Sequence, residues 1–177
     1  MGSLPQISFS HVGVYVFDMA KMVDFYQRML GLVVTDRGEI RGGEIVFLSR
    51  ATSDHHQLAL VSGRQAEQTT VNQLAYRLDS LADLRAMSER VDADPEAGEQ
   101  RIVSHGNAWS TYFADPEGNR IEFFVDTPFY VQQPAGVPFD LSQSDDEIVE
   151  WTKREFGDDP TFKPVEEWRA EFAQRLS

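Results

Sequence analysis

The sequence contains no cysteine. Disulfides, cysteine-ligated zinc, iron–sulfur clusters and thiol catalysis are therefore excluded, and any bound metal must use His, Asp, Glu, Gln or water. Basic side chains are scarce as well: 16 Lys and Arg stand against 29 Asp and Glu, a formal net charge of -13. That balance argues against nucleic acid or an anionic membrane surface as partner, because phosphate binding needs a basic patch and no Lys/Arg run supplies one. No apolar run approaches the ~20 residues of a membrane span. Met1–Gln6 has neither the basic region nor the apolar stretch of a secretory signal, so a cytoplasmic location is expected. Phosphate-binding glycine loops and GxSxG elbows are missing too. Gly38, Gly42 and Gly43 lie close together but precede no helix, and nothing supports a nucleotide site. What is present is a chain of 177 residues, 41 % apolar, with 12 Phe. That is enough for one domain with a real core, or a domain plus a tail.

The pattern along the chain occurs twice. Ile7–Phe17 alternates, with His11, Gly13, Tyr15 and Phe17 on one face and Val12, Val14 and Val16 on the other, which predicts a strand. Asp18 can cap a helix over about 19–30, whose apolar stripe is Met22, Phe25, Tyr26 and Met29; Gly31 suits its C-cap. Three strands follow, near 32–36, 44–49 and 56–61. The sequence then restarts with a strand over 71–78, a helix over 81–91 capped by Asp79 or Ser80, and strands near 100–104, 110–114 and 120–125. Asp115-Pro-Glu-Gly-Asn119 is a strong turn signal between the last two. Laying Gln73–Asp79 on His11–Phe17 keeps the face parity, so Gln73, Ala75 and Arg77 share the face type of His11. The fold class expected is α+β: two βαβββ modules, about 7–61 and 71–126, forming a curved mixed sheet. Residues 127–177 read as an extended arm and a helical tail. Residues 133–177 carry 11 acidic and 5 basic side chains. Ser144–Glu147 resembles a capping box for a helix to about Phe156, and Pro164 can open a second helix over 165–176. The tail aromatics, among them Trp151 and Trp168, predict that parts of it dock on the domain or on a dimer partner.

Two residues stand out chemically. His11 lies mid-strand, away from the valine stripe. Glu122 lies mid-strand in Arg120-Ile-Glu-Phe-Phe-Val125, where a carboxylate needs a cation, a metal or an exposed face. On equivalent faces of a duplicated sheet they become a candidate metal pair. Tyr112 can belong to the core or donate its phenol proton to a reacting oxygen. Arg77 and Arg120 can meet an anionic substrate. Trp109, Phe113 and Phe124 can line an apolar cleft or pack in the core.

Ser10-His-Val-Gly-Val-Tyr-Val16, Phe25-Tyr26, Leu30-Gly31 and Asp115–Glu122 together resemble the vicinal oxygen chelate superfamily over about residues 7–126. The resemblance implies paired βαβββ modules around a divalent-metal cleft, with His11 and Glu122 as ligands. His55-His-Gln-Leu-Ala-Leu60 resembles the extradiol dioxygenase segment that carries an acid/base histidine, at the position of His56. His55 and His56 are of opposite strand parity, so only one of them should face the cleft. Tyr112, ten residues before Glu122, resembles an active-site tyrosine of those enzymes, and His105 their outer hydrogen-bonding histidine. The tail is similar to that of small proteins related to biphenyl-diol dioxygenases. This implies Fe(II), with Mn, Ni or Zn as alternatives, a catechol-like aromatic substrate, O2 and a homodimer. Extradiol enzymes hold iron with two His and one carboxylate, yet Gln73 stands where the second His belongs. The ligand set is left open between His11, Gln73 and Glu122, His11, His56 and Glu122, and loss of the metal. A glyoxalase-type isomerase or lyase, and a metal-free binding protein of the bleomycin-resistance kind, are the rival functions.

Overall fold

The computed structural model describes residues 8–40 and 42–176; Met1–Gln6, and Ile7 where the first alternation begins, lie outside them. The chain divides into two compact units at Thr69/Thr70. The first unit contains β1 (Val12–Val16), α1 (Met19–Leu30), β2 (Val33–Ile40), β3 (Gly43–Ser49) and β4 (Leu58–Ser62). Its sheet has the order β1-β4-β3-β2, with β1 parallel to β4 and the other pairs antiparallel. Asp18 caps α1 by accepting from the Lys21 amide, and Gly31 closes it in the left-handed conformation at φ 66°. Glycine adopts that conformation without the steric cost of a Cβ. Val14 and Val16 of β1 are buried, as are Met22, Phe25, Tyr26 and Met29 of α1. Each such side chain contributes about 1.5–3 kcal/mol of apolar burial. This is the valine-face-to-helix packing that the two periodicities require.

The second unit repeats the order with β5 (Leu74–Arg77), α2 (Leu81–Ala93), β6 (Arg101–Ser104), β7 (Ala108–Ala114) and β8 (Arg120–Asp126). It then adds β9 (Phe129–Tyr130), β10 (Val137–Pro138), α3 (Asp145–Phe156), β11 (Lys163–Pro164) and α4 (Val165–Leu176). Its main sheet has the order β10-β6-β7-β8-β5. Ser80 caps α2. Ser144 and Glu147 form a complete capping box on α3. The tail is anchored: Ile148 and Phe156 are buried, and the Trp109 indole donates to Thr152 Oγ1 at 2.9 Å. No residue of α4 is buried.

Two boundaries differ from the sequence pattern in ways that matter below. β4 starts at Leu58, not His56, and β5 starts at Leu74, not Val71. His55, His56 and Gln73 therefore sit just ahead of strands, where alternation does not govern their direction. Trp109 and Phe113 belong to the core.

Candidate functional site

In the first unit the parallel pairing of β1 with β4 sets Val12 beside Leu58. One residue earlier, the Val12 amide donates to Gln57 O at 3.2 Å. His11 and His56 are thereby brought alongside each other, with ring centroids 4.2 Å apart. Phe47 of β3 supports His56, ring centroids 4.8 Å apart. Strand parity does not govern these two residues, which precede β4, and the rings of His55 and His56 contact each other in one cluster. His55 Nε2 donates to Asp36 Oδ2 at 2.7 Å, and the two Nδ1 atoms of His55 and His56 are 2.9 Å apart. The carboxylate can only accept, so a neutral His55 carries its proton on Nε2 and presents a bare Nδ1. His56 then donates from Nδ1, which leaves His56 Nε2 with its lone pair outward. Burial first, then the charges of His11 and His55, push His56 below the ordinary histidine value. Neutral imidazole is the form that binds metal or accepts a proton.

Asp36 reaches this cluster through a register shift. Val34 pairs with Leu48 but Asp36 pairs with Phe47, so Thr35 is the extra residue of a bulge. Such an insertion re-aims the side chains that follow it. Without it Asp36 would stand opposite Val46, which is fully buried. Sequence reading did not find Asp36; a bulge has no signature in the alternation of Val33-Val-Thr-Asp36.

In the second unit the turn at Asp115–Asn119 fixes the register of β7 against β8. Asp115 accepts from the amides of Glu117 and Asn119 and from the Asn119 side chain, and Gly118 has φ 80°. Tyr112 consequently stands opposite Glu122, and Ala75 of β5 flanks Glu122 on its other side. Glu122 is only 7 % exposed. Three neutral donors hold it: Ser110 Oγ at 2.8 Å and Tyr112 Oη at 2.5 Å on Oε1, and Gln73 Nε2 at 2.7 Å on Oε2. A buried carboxylate requires such partners. Gln73 thus serves Glu122 directly.

The chain of hydrogen bonds continues. His105 Nε2 lies 2.8 Å from Tyr112 Oη and His105 Nδ1 lies 2.5 Å from Ala135 O. Tyr112 has one hydrogen, which goes to the carboxylate. Its oxygen accepts from His105, and the Ala135 carbonyl also accepts. Burial, and then the bond to Glu122 and its charge, push the Tyr112 phenol up to about 12, against opposing pulls from Ser110 and Arg120.

The structure pairs His11 with His56 and Gln73 with Glu122, as two clusters, one per unit. Among the described residues no group of three or more His, Asp or Glu side chains is placed to hold a metal ion. The donor chemistry does fit a divalent cation. The first cluster offers imidazoles, one with a lone pair fixed outward; the second offers a carboxylate whose Oε2 has a single hydrogen bond. Arg77 is engaged by Asp126 at 3.1 Å and lies over the Phe124 ring, so it is not poised for an anion. Arg120 lines a cavity beside Tyr112.

A twice-repeated βαβββ unit with polar clusters beside its first and last strands defines a glyoxalase-like fold. The chain belongs to the glyoxalase/bleomycin resistance protein/dioxygenase superfamily, whose family description matches residues 8–123. It is 26 % identical over 152 residues to biphenyl-2,3-diol 1,2-dioxygenase 2 of Rhodococcus globerulus, covering 75 % of this chain and 76 % of that protein. It is also 26 % identical over 120 residues to the uncharacterized protein YwbC of Bacillus subtilis, covering 64 % of this chain and 94 % of that one. Solved structures of similar fold include the fosfomycin resistance protein FosX of Listeria monocytogenes with Mn(II) and sulfate. There the TM-score is 0.54 at 20 % identity, over 68 % of this chain and 93 % of that one. Another is a glyoxylase/bleomycin resistance protein/dioxygenase domain from Frankia, with TM-score 0.58 at 18 % identity, over 71 % of this chain and all of that one. No described helix is long and apolar enough to cross a membrane.

Proposed function

We propose that this protein is a metal-dependent oxidoreductase of the extradiol type, opening the ring of a catechol-like aromatic with O2. The observation that carries the reading is the His105–Tyr112–Glu122 relay, a buried carboxylate joined through a phenol to an imidazole. The similarity to the Rhodococcus dioxygenase supports it. In this reading His11 and His56 on the first unit, and Glu122 on the second, are the side chains whose donor chemistry suits a divalent metal. A divalent metal, Fe(II) for this reaction, would supply the binding of substrate oxygens and of dioxygen.

The remaining residues have roles their bonds define. Gln73 and Ser110 fix the Glu122 carboxylate. Asp36 and His55 fix the tautomer of His56, as outer hydrogen bonds do for metal-binding histidines. Tyr112 keeps its proton at neutral pH and presents it at Oη, with His105 behind it to replace that proton once given up. In this reading Gln73 is not a metal ligand and His56 is not the proton carrier. The reading also takes the protein as a homodimer, for which a mass of one chain by light scattering is the contrary result.

Metal analysis of protein purified without chelator, with a colour assay on 2,3-dihydroxybiphenyl under air, tests the proposal. Stoichiometric iron and a yellow ring-opened product are expected. Nickel, zinc or manganese with no colour moves the protein to the glyoxalase type. No metal, with ligand binding indifferent to His11→Ala, leaves a binding protein.

A further inference from the structure

We infer that the substrate carries a singly charged anionic group, a carboxylate on the aromatic skeleton, read by Arg101 and Arg120. The inference rests on the proposed function and narrows its substrate class. The register of the second sheet sets Arg101 opposite Tyr112, and Tyr112 opposite Glu122. Arg120 is two residues before Glu122 on β8, on the same face. With strands about 4.8 Å apart and about 3.3 Å per residue, the two arginine Cα atoms flank Tyr112 at roughly 12 Å from each other. Both line one cavity of about 410 Å³, together with Gln73, His105 and Tyr112. That volume suits a small ligand.

Arg101 and Arg120 differ from the arginines that are held by carboxylates. Arg28, Arg37, Arg77, Arg85 and Arg169 pair with carboxylates. Arg101 and Arg120 make no ion pair among the described residues, although the chain has 29 acidic side chains. Even Glu99, which lines the same cavity, is bonded to neither. A chain of net charge -13 repels anions over most of its surface. Two uncompensated guanidinium groups beside the relay reverse that locally, and each offers the two-point geometry that a carboxylate takes. With Glu99 counted, the cavity's fixed charge from these three groups is a single positive one, which matches a monoanion better than a phosphate dianion. The cavity also brings the charge close to the chemistry: Arg120 is near enough to pull against the upward shift of Tyr112.

The test is calorimetric binding, under argon, of 3,4-dihydroxybenzoate and its neutral amide, 3,4-dihydroxybenzamide, to the protein as purified. The acid is expected to bind at least about tenfold more tightly, as a charge-assisted pair of bonds allows. The double variant R101Q/R120Q is expected to bring the two ligands within about twofold of each other. Both side chains are exposed, so its thermal midpoint should stay within about 3 °C of the parent. Equal binding of acid and amide, a difference that survives in the double variant, or binding of neither ligand overturns the assignment. Tighter binding of 3,4-dihydroxyphenylphosphonate than of the benzoate overturns the monoanion class. Acid preference without ring opening under air sinks the dioxygenase reading and leaves the anion site standing. Ring opening with no acid preference does the reverse.

Discussion

The two units grow from one βαβββ plan, yet their polar clusters are opposites. In the first unit His11, His55 and His56 lie at the partly exposed start of strands, and the charged partner, Asp36, is at the surface. In the second unit Glu122 is buried, and every group that touches it is neutral or reaches it through Tyr112. The open cluster is built of imidazoles beside one surface carboxylate. The closed one is built of a buried carboxylate ringed by neutral donors. A duplicated scaffold thus carries two unlike polar clusters: one copy groups imidazoles, the other joins a phenol and an imidazole to a buried carboxylate.

The hardest break in this contrast is Glu122→Gln. It keeps the size of the side chain and removes the charge that Gln73, Ser110 and Tyr112 surround. Metal content should collapse, and ring-opening activity should fall roughly a thousandfold, in line with several kcal/mol of lost metal-dependent stabilisation. A variant retaining iron and activity would remove the carboxylate from the ligand set. Next comes Tyr112→Phe, which cuts the relay without touching the proposed ligands. A loss of about a hundredfold in kcat at unchanged iron content is expected of a missing proton donor; unchanged kcat would make Tyr112 a packing residue.

His55→Ala tests the open cluster. Its ring is exposed and outside the proposed ligand set, yet it fixes the His56 tautomer, so metal affinity should drop about 10- to 100-fold. Asp36→Asn should give a smaller drop in the same direction. Acidification probes the same contrast. His56 lies below the ordinary histidine value of 6.5, so the unfolded chain takes up a proton there more readily than the folded one. The stability tied to neutral His56 is intact above 6.5 and is lost as pH falls from there through the lower folded value. Bound metal, measured after dialysis at stepped pH, should decline over the same window. His56→Gln should flatten the stability curve there; an unchanged slope would show that His56 is not the group responsible. The smallest effect is expected from Thr152→Val. It leaves the buried Trp109 indole without an acceptor, at about 1–3 kcal/mol of stability, with iron content unchanged.

Much of the fold was legible because its signals are local. Asp18, Gly31, Ser80 and the Ser144–Glu147 box announce helix ends through side-chain chemistry, and the Val12–Val16 stripe announces a buried strand face. The candidate site was less legible, because its decisive contacts depend on register. Parity placed His55 and His56 on opposite faces only by assuming a strand that begins two residues later. Asp36 was invisible because one bulged residue redirects it. The hydrogen bond from Gln73 Nε2 to Glu122, which spans 49 positions of sequence, has no local signal either. Arg77 and Arg120 looked equivalent in sequence; Asp126 separates them.

The bond between Trp109 and Thr152 gives the C-terminal segment a meaning that family matching does not. The match ends at residue 123, yet α3 lies beyond it and closes the core on one face of β7. Tyr112 stands on the other face of that same strand. Gly106, at φ 76°, turns into β7 with Val131 and Phe156 against it. A shortened version cut to the matched region would therefore not be a minimal fold. It would strip an indole of its partner and leave the strand that carries the phenol with one wall missing, so engineering of this protein should treat residues 127–156 as part of its load frame.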